Sequence, residues 1–192
     1  MNIPREPILS GDTENFDLAE FKAGATIDSA VFENVEVSSS ALKKMSVTDC
    51  VFNNCLLFGN DLDGSWLRRV RFKSGMYSGM VLSDSTLTDI LFTGVKLNLS
   101  NFRSARFQRV EFKSCDLSEA DFQGATFTAV SFKNCDLSRA DFSNCKMKDV
   151  DLRSSKIASV RGLSGLRGAK IDTAQLISVA QGLAAEIGIV VL

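Results

Sequence analysis

The chain has 192 residues, 22 basic and 23 acidic side chains, a net charge of −1 and no histidine. That balance shows no global basic excess of the kind that marks nucleic-acid binding, and the missing imidazole excludes histidine-based acid–base pairs, triads and metal sites. Five cysteines, an odd number without a CxxC spacing, argue against zinc and against a secreted disulfide framework.

No phosphate-cradling G-x-x-x-x-G-K-[ST] or G-x-G-x-x-G motif occurs, so no cofactor is expected and an enzyme is disfavoured. The N-terminus lacks a basic stretch followed by an apolar one, and no run of 18 apolar residues exists. A cytoplasmic protein without a membrane span is the expectation.

Residues 1–24 read as an irregular arm and cap, because Pro4, Pro7 and Gly11 break any long element. Phe16 and Phe21 are spaced by five but out of phase with the slots after Ile27, as in an imperfect first turn. From Ile27 to Ile157 a large apolar residue recurs at every fifth position, for twenty-seven consecutive slots without a slip. Neither the helical period of 3.6 nor the strand period of 2 produces this beat. Two residues before each slot from Phe102 to Phe142 stands a small or short apolar residue, and all five cysteines of the chain occupy the corresponding position, as reduced core residues.

A period of 20 overlies the five. Phe32, Phe52, Phe72, Phe92, Phe112 and Phe132 form one column, and Phe102, Phe122 and Phe142 form part of another. Four pentapeptides therefore make one four-sided turn, and the array over residues 25–160 is a rod. At a strand spacing of about 4.8 Å its core is about 32 Å long.

Outward positions carry a pattern of charge. Asp61, Asp116, Glu119, Asp121, Asp136 and Asp141 cluster on two adjacent sides and form a candidate acidic binding face. The other two sides carry Arg68, Arg69, Arg71, Lys73, Arg106, Arg109, Lys113, Lys133, Lys148 and Arg153, diluted by Asp89, Glu111, Asp149 and Asp151. Asp and Asn also favour exposed turns for a plainer reason, since their side chains bond the local backbone. Leu56, Phe58, Met76, Val81 and Leu99 point outward together, with Trp66 on another side. Either the N-terminal arm or a partner covers them.

After Ile157 the beat breaks, and residues 161–192 read as a last imperfect turn, a helix and a tail. Asp172 or Thr173 can cap the helix, and Gly188 suits its end. Leu176, Val179, Ala180, Leu183 and Ile187 lie on one apolar stripe. That stripe must fold over the last turn or meet a second copy in a two-fold dimer.

The A-(D/N)-(L/F)-x-x pattern, as in Ala120-Asp121-Phe122 and Ala140-Asp141-Phe142, resembles the pentapeptide-repeat family. The resemblance implies an all-β solenoid, a right-handed quadrilateral β-helix, here with a C-terminal α-helix. It further resembles the mycobacterial-type, quinolone-resistance branch of that family. Such proteins imitate duplex DNA and bind type II topoisomerases, chiefly DNA gyrase or topoisomerase IV, inhibiting them or protecting them from quinolones. The helical stripe 176–187 would then be the homodimer interface, and direct nucleic-acid binding is not expected. The alternative is a scaffold or regulatory rod with an unrelated protein partner.

Overall fold

A computed structural model describes residues 3–9 and 21–190. Phe16 lies outside the described residues. Strands at Thr26–Asp28, Ser46–Thr48, Trp66–Arg68, Thr86–Thr93, Arg106–Lys113, Thr126–Lys133 and Lys146–Asp151 stack in parallel along the rod. Each pairs with the next at an offset of 20 residues, as in Leu87↔Phe107↔Phe127. The result is a parallel solenoid of about 7 turns. Its sides follow the chain: the first holds residues 25–29 and those at multiples of 20 beyond, the second 30–34, the third 35–39 and the fourth 40–44. The first two sides carry most of the strands. The last two make one bridge per turn, such as Lys96↔Asp116↔Asp136 and Asn101↔Asp121↔Asp141.

The five-residue beat is the interior. All slots from Ile27 to Ile157 are buried except Val37, Leu62 and Met147, which pack partly buried against the core. Phenylalanines one turn apart stack face to face, with centroids 4.7 Å apart for Phe32–Phe52, 4.8 Å for Phe112–Phe132 and 5.0 Å for Phe102–Phe122. The narrow interior explains the small alternate slot, and polar residues there are satisfied across the turn. Ser85, Ser100 and Ser155 donate to the carbonyls of Leu62, Tyr77 and Phe132, at 3.0, 3.2 and 3.1 Å. The cysteines are free, and burial pushes the thiols of Cys50 and Cys145 up to about 11 and about 12.

Corners fall two residues after each large slot from Ile27 to Leu152, in the left-handed region, as at Asn34 (φ 54°), Asp89 (φ 58°) and Gly124 (φ 73°). Ser, Asn, Asp and Gly tolerate that conformation best, which is why they recur there. On the third and fourth sides the corner is closed by a bond from three residues on, such as Ala105 N to Phe102 O at 3.1 Å.

Both ends are covered. Phe21 packs edge-on against Phe32, with centroids 5.3 Å apart. At the other end a short 3-10 helix, Leu163–Leu166, and helix α1, Thr173–Glu186, close the rod. Asp172 caps α1 through a reciprocal pair with Gln175, at 2.9 Å each way. Gly188 (φ 80°) ends it, with Ile189 N bonding Ala184 O and Gly188 N bonding Ala185 O, the paired bonds of a Schellman stop.

The orientation of α1 is set by the backbone it must satisfy. Gln175 Nε2 donates to the carbonyls of Leu152 and Ser155, both at 2.7 Å. It continues the 23-residue step by which Ser155 reaches Phe132, so a helix side chain replaces the missing next turn. Glu186 accepts from the amides of Leu163 (2.6 Å) and Ser164 (2.7 Å), the start of the 3-10 helix. Val179 and Leu183 pack between these two anchors.

Candidate protein-binding surfaces

The six acidic residues of the candidate face stand on the third and fourth sides. In both acidic columns the carboxylate folds back on its own corner. Asp116, Asp136 and Asp141 accept through Oδ1 from the backbone N–H two residues on, at 3.0, 2.9 and 2.9 Å. Asp61 and Asp121 do the same at 3.1 and 3.0 Å. Local turn bonding is thus one function of these residues. It fixes each side chain and leaves the second oxygen pointing outward.

Most of those outer oxygens meet a cation. Asp61 pairs with Lys43 (3.1 Å), Asp121 with Arg103 (2.7 Å), Asp136 with Lys156 (3.0 Å) and Asp141 with Arg161 (3.7 Å). Glu119 pairs with Arg139. Asp116 has no ion pair among the described residues and takes the Ser118 hydroxyl at 2.6 Å. The Ser138 bond holds the Asp136 carboxyl below its ordinary range. Burial raises Asp141, but the Ser143 bonds and the Arg161 charge outweigh it and bring the carboxyl down.

The outward apolar residues are not under the described part of the arm. Phe58, Met76 and Leu99 are exposed on the third side, just before its acidic stretch, whereas residues 3–9 run along the corner between the first and second sides. Sequence reasoning missed what holds the arm there. The corner column reads Asp49, Arg69, Asp89, Arg109, alternating in sign at every turn. Arg69 grips Asp49 with two bonds, and Arg109 grips Asp89 at 2.7 and 2.8 Å. Onto these buried carboxylates the arm donates two backbone amides, Ile8 N to Asp49 at 2.8 Å and Arg5 N to Asp89 at 3.2 Å. Arg71 is buried beneath it, bonding Glu6 at 2.9 Å. Arg69 and the Ile8 amide overcome burial and hold Asp49 low, and Asp89, which burial pushes up, is brought down by Arg109 and the Arg5 amide.

The five residues expected on one helical stripe divide. Val179 and Leu183 turn onto the chain's own rod, whereas Leu176 (49% exposed), Ala180 and Ile187 (74%) face outward with Ile177 (73%). The inner face is instead Gln175, Val179, Leu183 and Glu186, about one residue's rotation away.

A parallel four-sided solenoid whose interior is filled by side chains stacked turn on turn is a repeat architecture. A family model described as a pentapeptide repeat region matches residues 25–102 and 105–162, and one of eight pentapeptide repeats matches residues 81–124. The chain belongs to the pentapeptide repeat family. No curated protein matches the sequence significantly. Similar solved structures include HetL, a protein involved in heterocyst differentiation regulation from the cyanobacterium Nostoc (14% identity, 79% of this chain, 90% of that one, TM-score 0.37). Others are QnrB1, a plasmid-mediated fluoroquinolone resistance protein (21%, 89% and 97%, TM-score 0.39), and a thylakoid-lumen protein of Arabidopsis thaliana (25%, 58% and 70%, TM-score 0.36). No helix among the described residues is long and apolar enough to cross a membrane.

Proposed function

We propose that this protein is a non-enzymatic interaction rod that binds a type II topoisomerase, DNA gyrase in the first place, by presenting stacked carboxylates in place of DNA phosphates. The observation that carries this reading is the pair of columns Asp116/Asp136 and Asp121/Asp141, each in register between adjacent turns and each tied to its corner. Anions fixed on a rigid rod at a strand spacing of about 4.8 Å offer a partner a regular charged ladder without an ordering cost. The cations already on it are weak competitors. Arg103, Arg139, Lys156 and Arg161 are more than half exposed, and surface pairs are worth about 0–1 kcal/mol each. A partner's lysines and arginines can therefore displace them. The exposed Phe58, Met76 and Leu99 extend the same side with apolar contact area.

Gyrase supercoiling assayed with and without the protein, and with a quinolone present, tests the proposal. The protein is expected to inhibit supercoiling or to protect it from the drug, and Asp136→Lys with Asp141→Lys to weaken the effect about tenfold, or about 1.4 kcal/mol. No effect at micromolar protein, together with no detectable binding, sinks it.

The outer face of α1 supports a second part of the reading, a two-fold homodimer. Leu176, Ile177, Ala180 and Ile187 form an apolar strip at the rod's end, continued by the exposed Ile189 and Val190. In sedimentation the wild-type chain is expected to be a dimer and Ile177→Asp a folded monomer. Leu183→Asp is expected to loosen the cap on its own rod as well. A monomeric wild-type protein refutes the dimer.

A further inference from the structure

The first side of the rod, opposite the third, carries a surface of the other character. Its outward residues between 46 and 148 are Ser, Thr and Gln, one tryptophan, and the cations Arg68, Arg106, Lys146 and Lys148, without a single acid. Of the carboxylates beside it, Asp49 and Asp89 belong to the corner and are held by Arg69, Arg109 and the arm. Asp28 stands at the N-terminal end of the same column, in register with Thr48, and Asp149 at the corner beyond Lys148. The net charge of the whole chain conceals this strip, because its cations are cancelled by acids on other sides.

Trp66, the only tryptophan, is 67% exposed in the middle of this strand layer. Its in-register neighbours are Ser46 on one turn and Thr86 on the next, both too small to cover an indole. Beside it lies a cleft of about 450 Å³ between the sheet and the arm, with Arg5 on the arm side, Arg68 on the sheet, and Thr48, Thr88 and the paired Asp89 and Arg109 also in its lining. Arg5 and Arg68 make no ion pair among the described residues. An uncovered aromatic face next to two guanidinium groups that make no ion pair, and whose charges reach only carboxylates already gripped by Arg69 and Arg109, is complementary to a planar ring joined to a phosphate. The cleft falls in the size range of small-molecule sites.

We propose that this cleft binds a nucleotide unit, its base stacked on Trp66 and its phosphate held by Arg5 and Arg68. The unit comes either as a free nucleotide or as part of a single strand. Arg106 and Lys146 lie two and four turns from Trp66 in the same column, about 10 and about 19 Å away. The longer distance matches the rise of between about five and six stacked nucleotides of one strand. A stacking platform followed by a cationic track is how single strands are held without base readout.

The lone tryptophan makes the test direct. Its fluorescence is titrated with a nucleoside monophosphate, a short oligothymidylate and inorganic phosphate. Saturable quenching by either nucleotide ligand, weakened about tenfold or more by Arg68→Glu at an unchanged melting temperature, is the expected result. A strand as the natural source predicts that the oligomer binds at least tenfold tighter than the monomer, and that Arg106→Glu with Lys146→Glu removes only that advantage. A free nucleotide predicts equal affinities and no effect of the second pair. No quenching up to millimolar ligand, equal binding of inorganic phosphate alone, or indifference to Arg68→Glu overturns the proposal.

Discussion

Phe122→Ala is expected to cost about 3–5 kcal/mol, at the upper end of that range. Phe122 is fully buried and stacks between Phe102 at 5.0 Å and Phe142 at 5.1 Å. It also meets the edges of Phe107, Phe127 and Phe132, between 5.6 and 6.2 Å. These neighbours cannot collapse into the void, because each is fixed by its own strand register and its own column. A solenoid turn contacts only the turns beside it, so damage at the centre uncouples the two halves rather than lowering stability uniformly. Denaturant unfolding should show a lower midpoint and, if the halves separate, a second transition. A loss below about 1 kcal/mol with one unchanged transition would mean the column is not what couples the turns.

The part of the fold that was legible in the sequence is the part that repeats. A slot such as Phe122 announces itself because Leu117 and Phe127 stand five residues to either side and Phe102 and Phe142 twenty. It needs no tertiary information beyond stacking. The acidic columns were equally visible, since Asp116, Asp121, Asp136 and Asp141 sit at fixed offsets from those slots. What the acids touch was not. Arg103 and Arg139 reach their carboxylates across 18 or 20 residues on the same sides of the rod, and counting those sides by their acids alone left the cations out. The corner ladder of Asp49, Arg69, Asp89 and Arg109 was written in the chain at a spacing of 20, but reading it as diluted positive charge hid the alternation. Helix α1 shows the other limit. Its apolar periodicity favoured a stripe through Leu176, whereas its orientation is decided by two carbonyls at the end of the rod, those of Leu152 and Ser155, which no further turn covers and which draw the polar Gln175 inward. Unpaired backbone is costly to bury, and no pattern of hydrophobicity records where it lies.

Arg109→Met is expected to cost about 3 kcal/mol at neutral pH, the lower end of what breaking a buried ion pair costs, since the Arg109 side chain is itself 23% exposed. The damage comes from what stays behind. The Asp89 side chain is 3% exposed, and without Arg109 it keeps, among the described residues, only the Arg5 amide at 3.2 Å as a direct partner. In the wild-type protein burial raises the Asp89 carboxyl, and Arg109 with the Arg5 amide brings it below the ordinary range. Its ionised form therefore adds stability above the unfolded carboxylate value of about 3.9, and that stability is lost as pH falls through the lower folded value. In Arg109→Met burial is no longer offset, the folded value rises above the unfolded one, and the same carboxylate destabilises the fold at neutral pH. Acidification then removes a stabilising contribution from the wild type and a destabilising one from the variant, so the gap between them narrows towards about pH 3.5. Replacing the charge by an amide, Asp89→Asn in the Arg109→Met background, should recover most of the loss at neutral pH without acid. Urea denaturation of the wild type, both single variants and the double variant at the two pH values measures this. A gap that is the same at both, and that Asp89→Asn leaves untouched, would show that Arg109 stabilises the corner by packing and not by holding the carboxylate to which the arm is fastened.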